Sequence, residues 1–469
     1  MDFEEAERQR VWLMSGHIKK LGYQNACTTV LFNKYPTLDK IDTTFYPTNP
    51  DGTKNYKIVD SSVLGIIPGS LAETFNYCSG DPTDPDSKWQ NPHEQYVISQ
   101  MGKLLGIQDV TGYMSSGGTE GNLAAIWWCK TNLTTRSQSK IQELKDRIKQ
   151  HKNQQEVDYE EILNLKEKIS KLRRPYIVAT KSPHSHFSVI KVASIIELNT
   201  LYIDGNDNGS MNLDSLRDNL RSVQSEEDLT FIVSINFGTT TQAAFDDVFE
   251  IRKIFDEMKN PNWKYVVHMD AAMYGPTLPV LKQFGDKSNS LTSCGVDTVA
   301  ISLWKFLGVQ IPCGVSLCTR EFIKQGYEPL KATTYKDFPL ANDNFILAGT
   351  RSGIAAAAAY NIIKTFKLEE GLDILKKFID YDIEMAIYLQ EQLEKIYDKS
   401  EIRRMYFNVV FPRRHVPEDS ISKFILMKVG KTELQAITLM NVNRTLIDEF
   451  INEILAHISN NEVAQAVSE

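Results

Sequence analysis

No window of this 469-residue chain approaches the uninterrupted apolar length, about 18 residues, that a membrane-spanning helix needs. The start, MDFEEAERQRVWLMSG, is acidic and has neither the basic nor the apolar region of a secretory leader, so no signal peptide is expected. Cysteine is sparse: Cys27, Cys78, Cys129, Cys294, Cys313 and Cys318 are scattered and form no CxxC pair. That speaks for a reduced, cytoplasmic setting, with Cys313 and Cys318 as small buried hydrophobes. Surplus positive charge is missing too. A net charge of −8 argues against nucleic acid or an anionic membrane as the main partner. The nucleotide-binding pattern GxxxxGK[ST] does not occur. His184 and His186 have no further ligand at metal-site spacing, so no metal is expected.

What the chain does contain is alternation. PYIVAT (175–180), LTFIVSINF (229–237), YVVHMDA (265–271) and DTVAISL (297–303) are short, β-branched runs of strand length. Helical segments such as DDVFEIRKIFDEMKN separate them. The pattern predicts an α/β fold: a mainly parallel central sheet with helices on both faces. Residues 137–174 are dense in Lys, Glu and Gln, contain no Gly or Pro, and carry two apolar stripes. Ile141, Leu144 and Ile148 make one; Ile162, Leu165, Ile169 and Leu172 make the other, so a projecting two-helix hairpin is expected. After about residue 345, long helices mix with MYFNVVFPR and SKFILMKV, read as strands, giving a small α+β domain with a frayed tail, NNEVAQAVSE. The expected division is an N-terminal segment 1–75, a large domain 76–345 carrying the 137–174 insertion, and a small domain 346–469.

Ligands of parallel sheets bind beyond the carboxyl ends of the strands, and chemically suggestive residues collect there. GYMSSGGTEGN (112–122) places glycines and hydroxyls before a helix, as either a phosphate cradle or a tight turn with capping serines. His186, after the strand 175–180, is either a flat ring stacked on a planar ligand or a hydrogen-bonded structural histidine. Thr239 follows the strand 229–237, and Asp246 resembles the N-cap of the next helix. Asp270 closes YVVHMD, and a carboxylate there is costly to bury unless a cation faces it. Ala271 and Ala272 leave room beside it for a flat ring. Lys305, set between Trp304 and Phe306 in an apolar stretch, either snorkels to solvent or is a buried amine kept neutral as a nucleophile. An aldehyde cofactor, pyridoxal 5′-phosphate, accounts for the whole set. Lys305 would form a Schiff base, Asp270 would face the pyridine nitrogen, His186 would stack on the ring, and Gly117–Gly118 would hold the phosphate. Unit charges ~3 Å apart at an effective dielectric of ~20 interact by roughly 5 kcal/mol, enough to keep a pyridine nitrogen protonated.

These motifs, together with GDP (80–82), SHFSVIKVA, FGTTTQAAFDD, HMDAAMYG, WKFLGVQIPCGV, GTRSG (349–353) and FNVVFPR, resemble the group II pyridoxal-phosphate-dependent amino-acid decarboxylases, in the histidine and serine decarboxylase branch. The resemblance spans most of residues 60–455 and breaks at 137–174. It implies the aspartate-aminotransferase-like fold type I and a homodimer with interface active sites. It also implies decarboxylation of an amino acid to its amine and CO2. By position it puts the Schiff-base lysine on Lys305, the pyridine aspartate on Asp270, and the stacking histidine, also beside the substrate, on His186. The phosphate contacts fall on Ser115, Ser116, Gly117, Gly118 and Ser302. His186 or a loop tyrosine such as Tyr335 is the candidate proton donor. Three positions depart from the family pattern: Trp304 where it has histidine, Ala243 where it has glycine, and Asn441 in LMN. Another lyase or a transaminase on the same fold is the alternative enzyme; a cofactor-binding scaffold that uses the hairpin is the alternative of another kind.

Overall fold

The run Thr230–Asn236 is buried at every position, as a strand covered on both faces must be. The computed structural model of the chain describes residues 92–153, 157–224, 228–258, 260, 262–281, 290–331, 345–349 and 351–468. The expected N-terminal segment 1–75, the GDP motif and Tyr335 lie outside the described residues. Two compact units are present, Ser79–Arg351 and a second containing Ser352–Glu469.

The larger unit runs α1 (Pro92–Leu104), β1 (Val110–Ser115), α2 (Gly118–Arg136), α3 (Gln138–Lys152), α4 (Tyr159–Arg173), β2 (Tyr176–Thr180), α5 (Phe187–Ile195) and β3 (Asn199–Ile203). It continues through α6 (Leu213–Ser222), β4 (Thr230–Asn236), α7 (Val248–Glu257), β5 (Lys264–Asp270), β6 (Thr298–Ser302), β7 (Gly314–Thr319) and α8 (Arg320–Lys331). The sheet order is β1-β7-β6-β5-β4-β2-β3. From β3 to β6 every pairing is parallel. Only β7 is reversed, and it is antiparallel to both β6 and β1. β1 therefore points the same way as β6. The carboxyl ends of β1, β2, β4, β5 and β6 all open on one edge of the sheet, which is the edge that carries the chemistry.

Helix α2 fixes that edge. Ala124, Ala125, Trp128, Cys129 and Leu133 recur at helical spacing and are buried in the core of this unit. Trp128 stands edge-on to Tyr113, and its indole N–H donates to Phe345 O at 2.6 Å. At the start of the helix, a Cβ on Gly121 would lie 3.3 Å from Ala300 Cβ and from the Ser115 and Ser316 hydroxyls. The absence of a side chain there lets the N-terminus of α2 settle onto the ends of β1, β6 and β7. Helices α3 and α4 pack on each other through a separate cluster of Ile141, Leu144, Leu165 and Leu172, with Ile148 and Ile169 against it. Asp158 caps α4, and Arg147 pairs with Glu161 across the hairpin at 2.8 Å.

The smaller unit has α9 (Gly353–Thr365), α10 (Asp373–Leu393), β8 (Arg403–Met405), β9 (Asn408–Pro412), α11 (Glu418–Lys423), β10 (Met427–Val429), β11 (Glu433–Ile437) and α12 (Arg444–Ser468). Its antiparallel sheet, β10-β11-β9-β8, shares a core with α10 and α12 through Leu389, Val409, Phe411, Leu434, Phe450 and Ile454. Three expectations are corrected. SKFILMKV is a strand only at its end. Its first residues close helix α11, which starts after Pro417 with Glu418 and Asp419 in the first turn, where acids favour a helix. The tail expected to fray is helical through Ser468, in a stretch free of Gly and Pro and rich in helix formers. Asp246 is not the N-cap of α7; that role belongs to Asp247, which accepts from Phe249 and Glu250 N–H. Asp246 is buried and binds the loops together, accepting from Met211 N at 2.6 Å and Asn236 N at 2.7 Å. Burial pushes its carboxyl up to about 6.

Candidate active site

The loop between β1 and α2 forms one end of the site. Gly117 is the N-cap of α2 with φ 155°, a conformation that favours glycine, and no side chain caps the helix. The first N–H groups of any helix lack partners within it. Glu120 ties down the residues before the helix and leaves those N–H groups alone: it accepts from Ser116 N at 2.9 Å and from Tyr113 OH at 3.1 Å. The Ser115 hydroxyl donates to Gly117 O at 3.0 Å, so it shapes the loop. Ser302, at the end of β6, is buried, and its Oγ has no hydrogen-bond partner among the described residues. A Cβ on Gly118 would lie 2.5 Å from that Oγ and 3.4 Å from Ala272 Cβ. Gly118 therefore brings its backbone closer to Ser302 and Ala272 than a residue with a side chain could come. Beside it, the half-exposed Trp304 brings its indole nitrogen to 3.8 Å from the position of a Gly117 Cβ, which puts an N–H donor next to the loop.

Asp270 ends β5 and is buried. Its Oδ1 accepts from Ala272 N at 3.2 Å and its Oδ2 from Asn122 Nδ2 at 2.7 Å. The same Asn122 nitrogen lies 2.8 Å from Ser188 Oγ, and Ser188 Oγ lies 2.6 Å from His186 Nδ1. His186 is also the N-cap of α5, accepting from Ser188 N at 3.2 Å. Its imidazole pKa is lowered by burial, an effect opposed by the Asp270 charge and reinforced by Lys305 and Lys191. Lys305 follows β6 in a tight turn, with its N–H on Ser302 O at 3.3 Å. Burial holds its ammonium below the usual lysine range, with Asp270 acting the other way. His186, Asp270 and Lys305 thus feel one another's charge. No hydrogen bond or ion pair of the Lys305 amine occurs among the described residues.

Thr239 is buried in the loop after β4, where its hydroxyl accepts from Ala244 N at 3.0 Å. That loop passes through Ala243 at φ 51°, a left-handed conformation that glycine adopts with less strain. The sequence-derived residues thus gather at one edge, but in two kinds. The Lys305 amine and the Ser302 hydroxyl keep polar atoms without a partner among the described residues, beside Asp270, His186, Gly117, Gly118 and Ala272, whereas Ser115, the Ser116 N–H and Thr239 are largely spent on the loops themselves.

Sequence reasoning missed several contributors. Asn122 and Ser188 link the acid to the imidazole. His268 is fully buried, with Nε2 3.1 Å from Asn122 Oδ1 and Nδ1 3.0 Å from Thr298 Oγ1. Glu94 and Arg351 form a buried bidentate pair, at 2.8 and 2.9 Å, and Glu94 Oε1 also accepts from Met114 N on β1. GYMSSGGTEGN ends in Asn122 and GTRSG is centred on Arg351, so the signal was present without a partner to interpret it.

The sequence matches the pyridoxal-dependent decarboxylase conserved domain over residues 93–411. It is 25% identical over 277 residues to a histidine decarboxylase of Morganella morganii, covering 59% of this chain and 68% of that one. It is also 25% identical over 366 residues to serine decarboxylase 3 of Oryza sativa subsp. japonica, covering 78% and 65%. Among solved structures, the fold is similar to L-methionine decarboxylase from Streptomyces sp. 590, with a TM-score of 0.59 at 15% identity over 87% of this chain and 96% of that one.

Proposed function

The chain belongs to the pyridoxal-dependent decarboxylase family, and from that premise we propose that the residues at the carboxyl edge of its large sheet hold pyridoxal 5′-phosphate with Lys305 as the attachment point. The protein is a pyridoxal-phosphate-dependent carboxy-lyase acting on an amino acid. The observation that carries the assignment of residues is the buried, unpartnered Ser302 hydroxyl facing the bare Cα of Gly118. A buried hydroxyl without a partner is costly, and a phosphate oxygen set against it and the N-terminus of α2 would satisfy both.

When bound, the cofactor supplies an aldehyde to capture an amine and a ring that takes up the electron pair left as CO2 departs. The chain's residues do the rest. Lys305, its ammonium destabilised by burial, gives up its proton more readily than an exposed lysine to act as nucleophile. Asp270, positioned by Asn122 and Ala272 N–H, would hold a proton on the pyridine nitrogen. His186 would stack its imidazole on the ring, with Nδ1 held by Ser188. Ala272 and Gly118 exclude side chains from the space the ring and phosphate need. Trp304 adds an N–H beside the phosphate loop where the family pattern has histidine.

A histidine- or serine-like amino acid is the proposed substrate, because the relatives above act on these. A homodimer is proposed as well. Phe187 and Trp304 are 56% and 45% exposed beside the site, large rings of the kind a second copy would cover. The reduced cysteines among the described residues suit a cytoplasmic setting. The test is borohydride reduction of the protein with pyridoxal phosphate, peptide mapping, and CO2 release scored for each amino acid. Label on Lys305 and amine formation from one amino acid are expected. Label on another lysine overturns the site; a keto acid as product overturns the reaction.

A further inference from the structure

Asn122 lies at the junction of a buried hydrogen-bond chain that spans the large unit. Cys129 Sγ lies 3.3 Å from Thr298 Oγ1, which lies 3.0 Å from His268 Nδ1. His268 Nε2 lies 3.1 Å from Asn122 Oδ1. Asn122 Nδ2 then faces both Asp270 Oδ2 and Ser188 Oγ, and Ser188 reaches His186 Nδ1. Every member except His186 is buried. Which way the hydrogens point is set by the one member that has none to give. An aspartate carboxylate only accepts, so the Asn122 amide nitrogen must face it, and its second hydrogen goes to Ser188. Asn122 Oδ1 is left as an acceptor, so His268 carries its proton on Nε2. His268 Nδ1 must then accept the Thr298 hydroxyl hydrogen, and Thr298 Oγ1 in turn accepts from the Cys129 thiol. On the other branch, Ser188 Oγ accepts from Asn122 and gives its hydrogen to His186 Nδ1. The Ser188 backbone N–H points at the same nitrogen.

We infer that Asn122 is the positioning residue that sets the direction of this chain, fixing His186 and His268 as neutral Nε2–H tautomers and Asp270 as a pure acceptor. A proton on His186 Nδ1 would face two donors, the Ser188 hydroxyl and N–H. The imidazole therefore meets anything in the site as an N–H donor from Nε2, a nitrogen with no partner among the described residues. Burial reinforces the neutral state of both rings, bringing His268 down to about 4. The inference deepens the site proposed above and rests on it only for what the donor is used for; the tautomers themselves are set by the protein.

The chain has one mirror arrangement. If Asp270 carried a proton, Asn122 would turn over, His268 Nε2 would accept, and Nδ1 would bear the hydrogen. The two arrangements are separated by nitrogen-15 spectra of histidine-labelled, cofactor-free protein near neutral pH. The chain has eight histidines, and the two signals are assigned with His186→Gln and His268→Gln. Expected are protonated Nε2 and bare Nδ1 for both rings. Thr298→Val should leave the His268 tautomer unchanged, whereas Asn122→Ala should let its two tautomers mix. An Nδ1–H tautomer or an imidazolium at either ring overturns the inference, as does a Thr298→Val variant that flips His268. Should Asn122→Ala fail to fold, the wild-type and Thr298→Val spectra still decide. Because no cofactor is present, a failure of the proposed lysine assignment leaves these readings untouched.

Discussion

Substituting Gly118 by alanine tests the phosphate cradle directly. The new Cβ would sit 2.5 Å from Ser302 Oγ and 3.4 Å from Ala272 Cβ, against a comfortable separation of about 3.5 Å. Ser302 can turn its hydroxyl without breaking a hydrogen bond to any of the described residues. It turns, however, at the buried end of β6, and overpacking of this kind costs ~1–3 kcal/mol. Replacing glycine in a first helical turn returns up to ~1 kcal/mol through the unfolded chain and helix propensity. The apoprotein should thus lose roughly 3 kcal/mol or less and remain folded. Cofactor binding should suffer more, because the methyl group takes the space of the phosphate and displaces the hydroxyl that would donate to it. A hydrogen bond to a charged group contributes ~1.5–3 kcal/mol, so the Kd for pyridoxal phosphate should rise ~10–150-fold. Two measurements decide: denaturant midpoints of the apoproteins, and absorbance titration of each with pyridoxal phosphate. If the variant binds the cofactor within about threefold of wild type while losing the expected stability, the space between Gly118 and Ser302 is ordinary packing and the phosphate sits elsewhere.

Three further perturbations separate structure from chemistry. Glu94→Gln leaves the Arg351 guanidinium, 4% exposed, without its carboxylate; breaking such a pair costs ~3–5 kcal/mol, read as a lower denaturant midpoint, and an unchanged midpoint would show the pair to be dispensable. Asp297 is half-buried, accepts from Val267 N at 2.7 Å, and is pushed up to about 6 by the desolvation of its carboxyl. The folded state therefore holds its proton more tightly than the unfolded chain, and the associated stability is present below about pH 4 and lost as pH rises through about 6. Asp297→Asn should gain on wild type across that interval, although His268, lowered to about 4, drives both proteins the opposite way as pH falls below about 6.5; a constant difference between the two would refute the assignment. Deleting 138–173 with a short Gly-Ser joint should preserve pyridoxal-phosphate binding, since the hairpin packs through its own cluster; an insoluble or cofactor-free product would make it part of the body.

Strands with both faces covered were the most legible elements, because burial on two sides demands an unbroken apolar run. β2, β4, β5 and β6 are all of this kind. β1 and β7 were harder to see. β1 carries Thr111 and Gly112 in VTGYMS, and its last residue doubles as the start of the phosphate loop, so its sequence reads first as a loop. β7, GVSLCT, reads as a continuation of the apolar stretch after Lys305. It is the one reversed strand, and direction leaves no mark on composition. Asp246 and Asp247 were confused for a related reason. Adjacent acids before a helix look alike in sequence, and only the buried N–H groups of Met211 and Asn236 distinguish the one that turns inward.

In the site, sequence reasoning reached the groups whose chemistry is conspicuous and missed those whose role is relational. An amine in an apolar run or an acid closing a strand is anomalous by itself, so Lys305 and Asp270 invite a functional reading at once. Asn122 is anomalous only in company. Its three partners lie 66, 146 and 148 residues away, on α5 and at two positions of β5. On a helix face an asparagine is an ordinary polar residue; buried against a carboxylate, a hydroxyl and an imidazole, it has a single orientation that satisfies all three. That orientation then dictates the hydrogens of residues it never touches, from Thr298 to His186. Parallel order in the sheet makes this possible: Asp270 and His268 project from the same face of β5, two residues apart, toward the helix that carries Asn122. That the strands are mainly parallel can be inferred from alternation, but the register that sets one amide among three partners depends on how closely α2 approaches the sheet. Gly121 controls that approach by having no side chain.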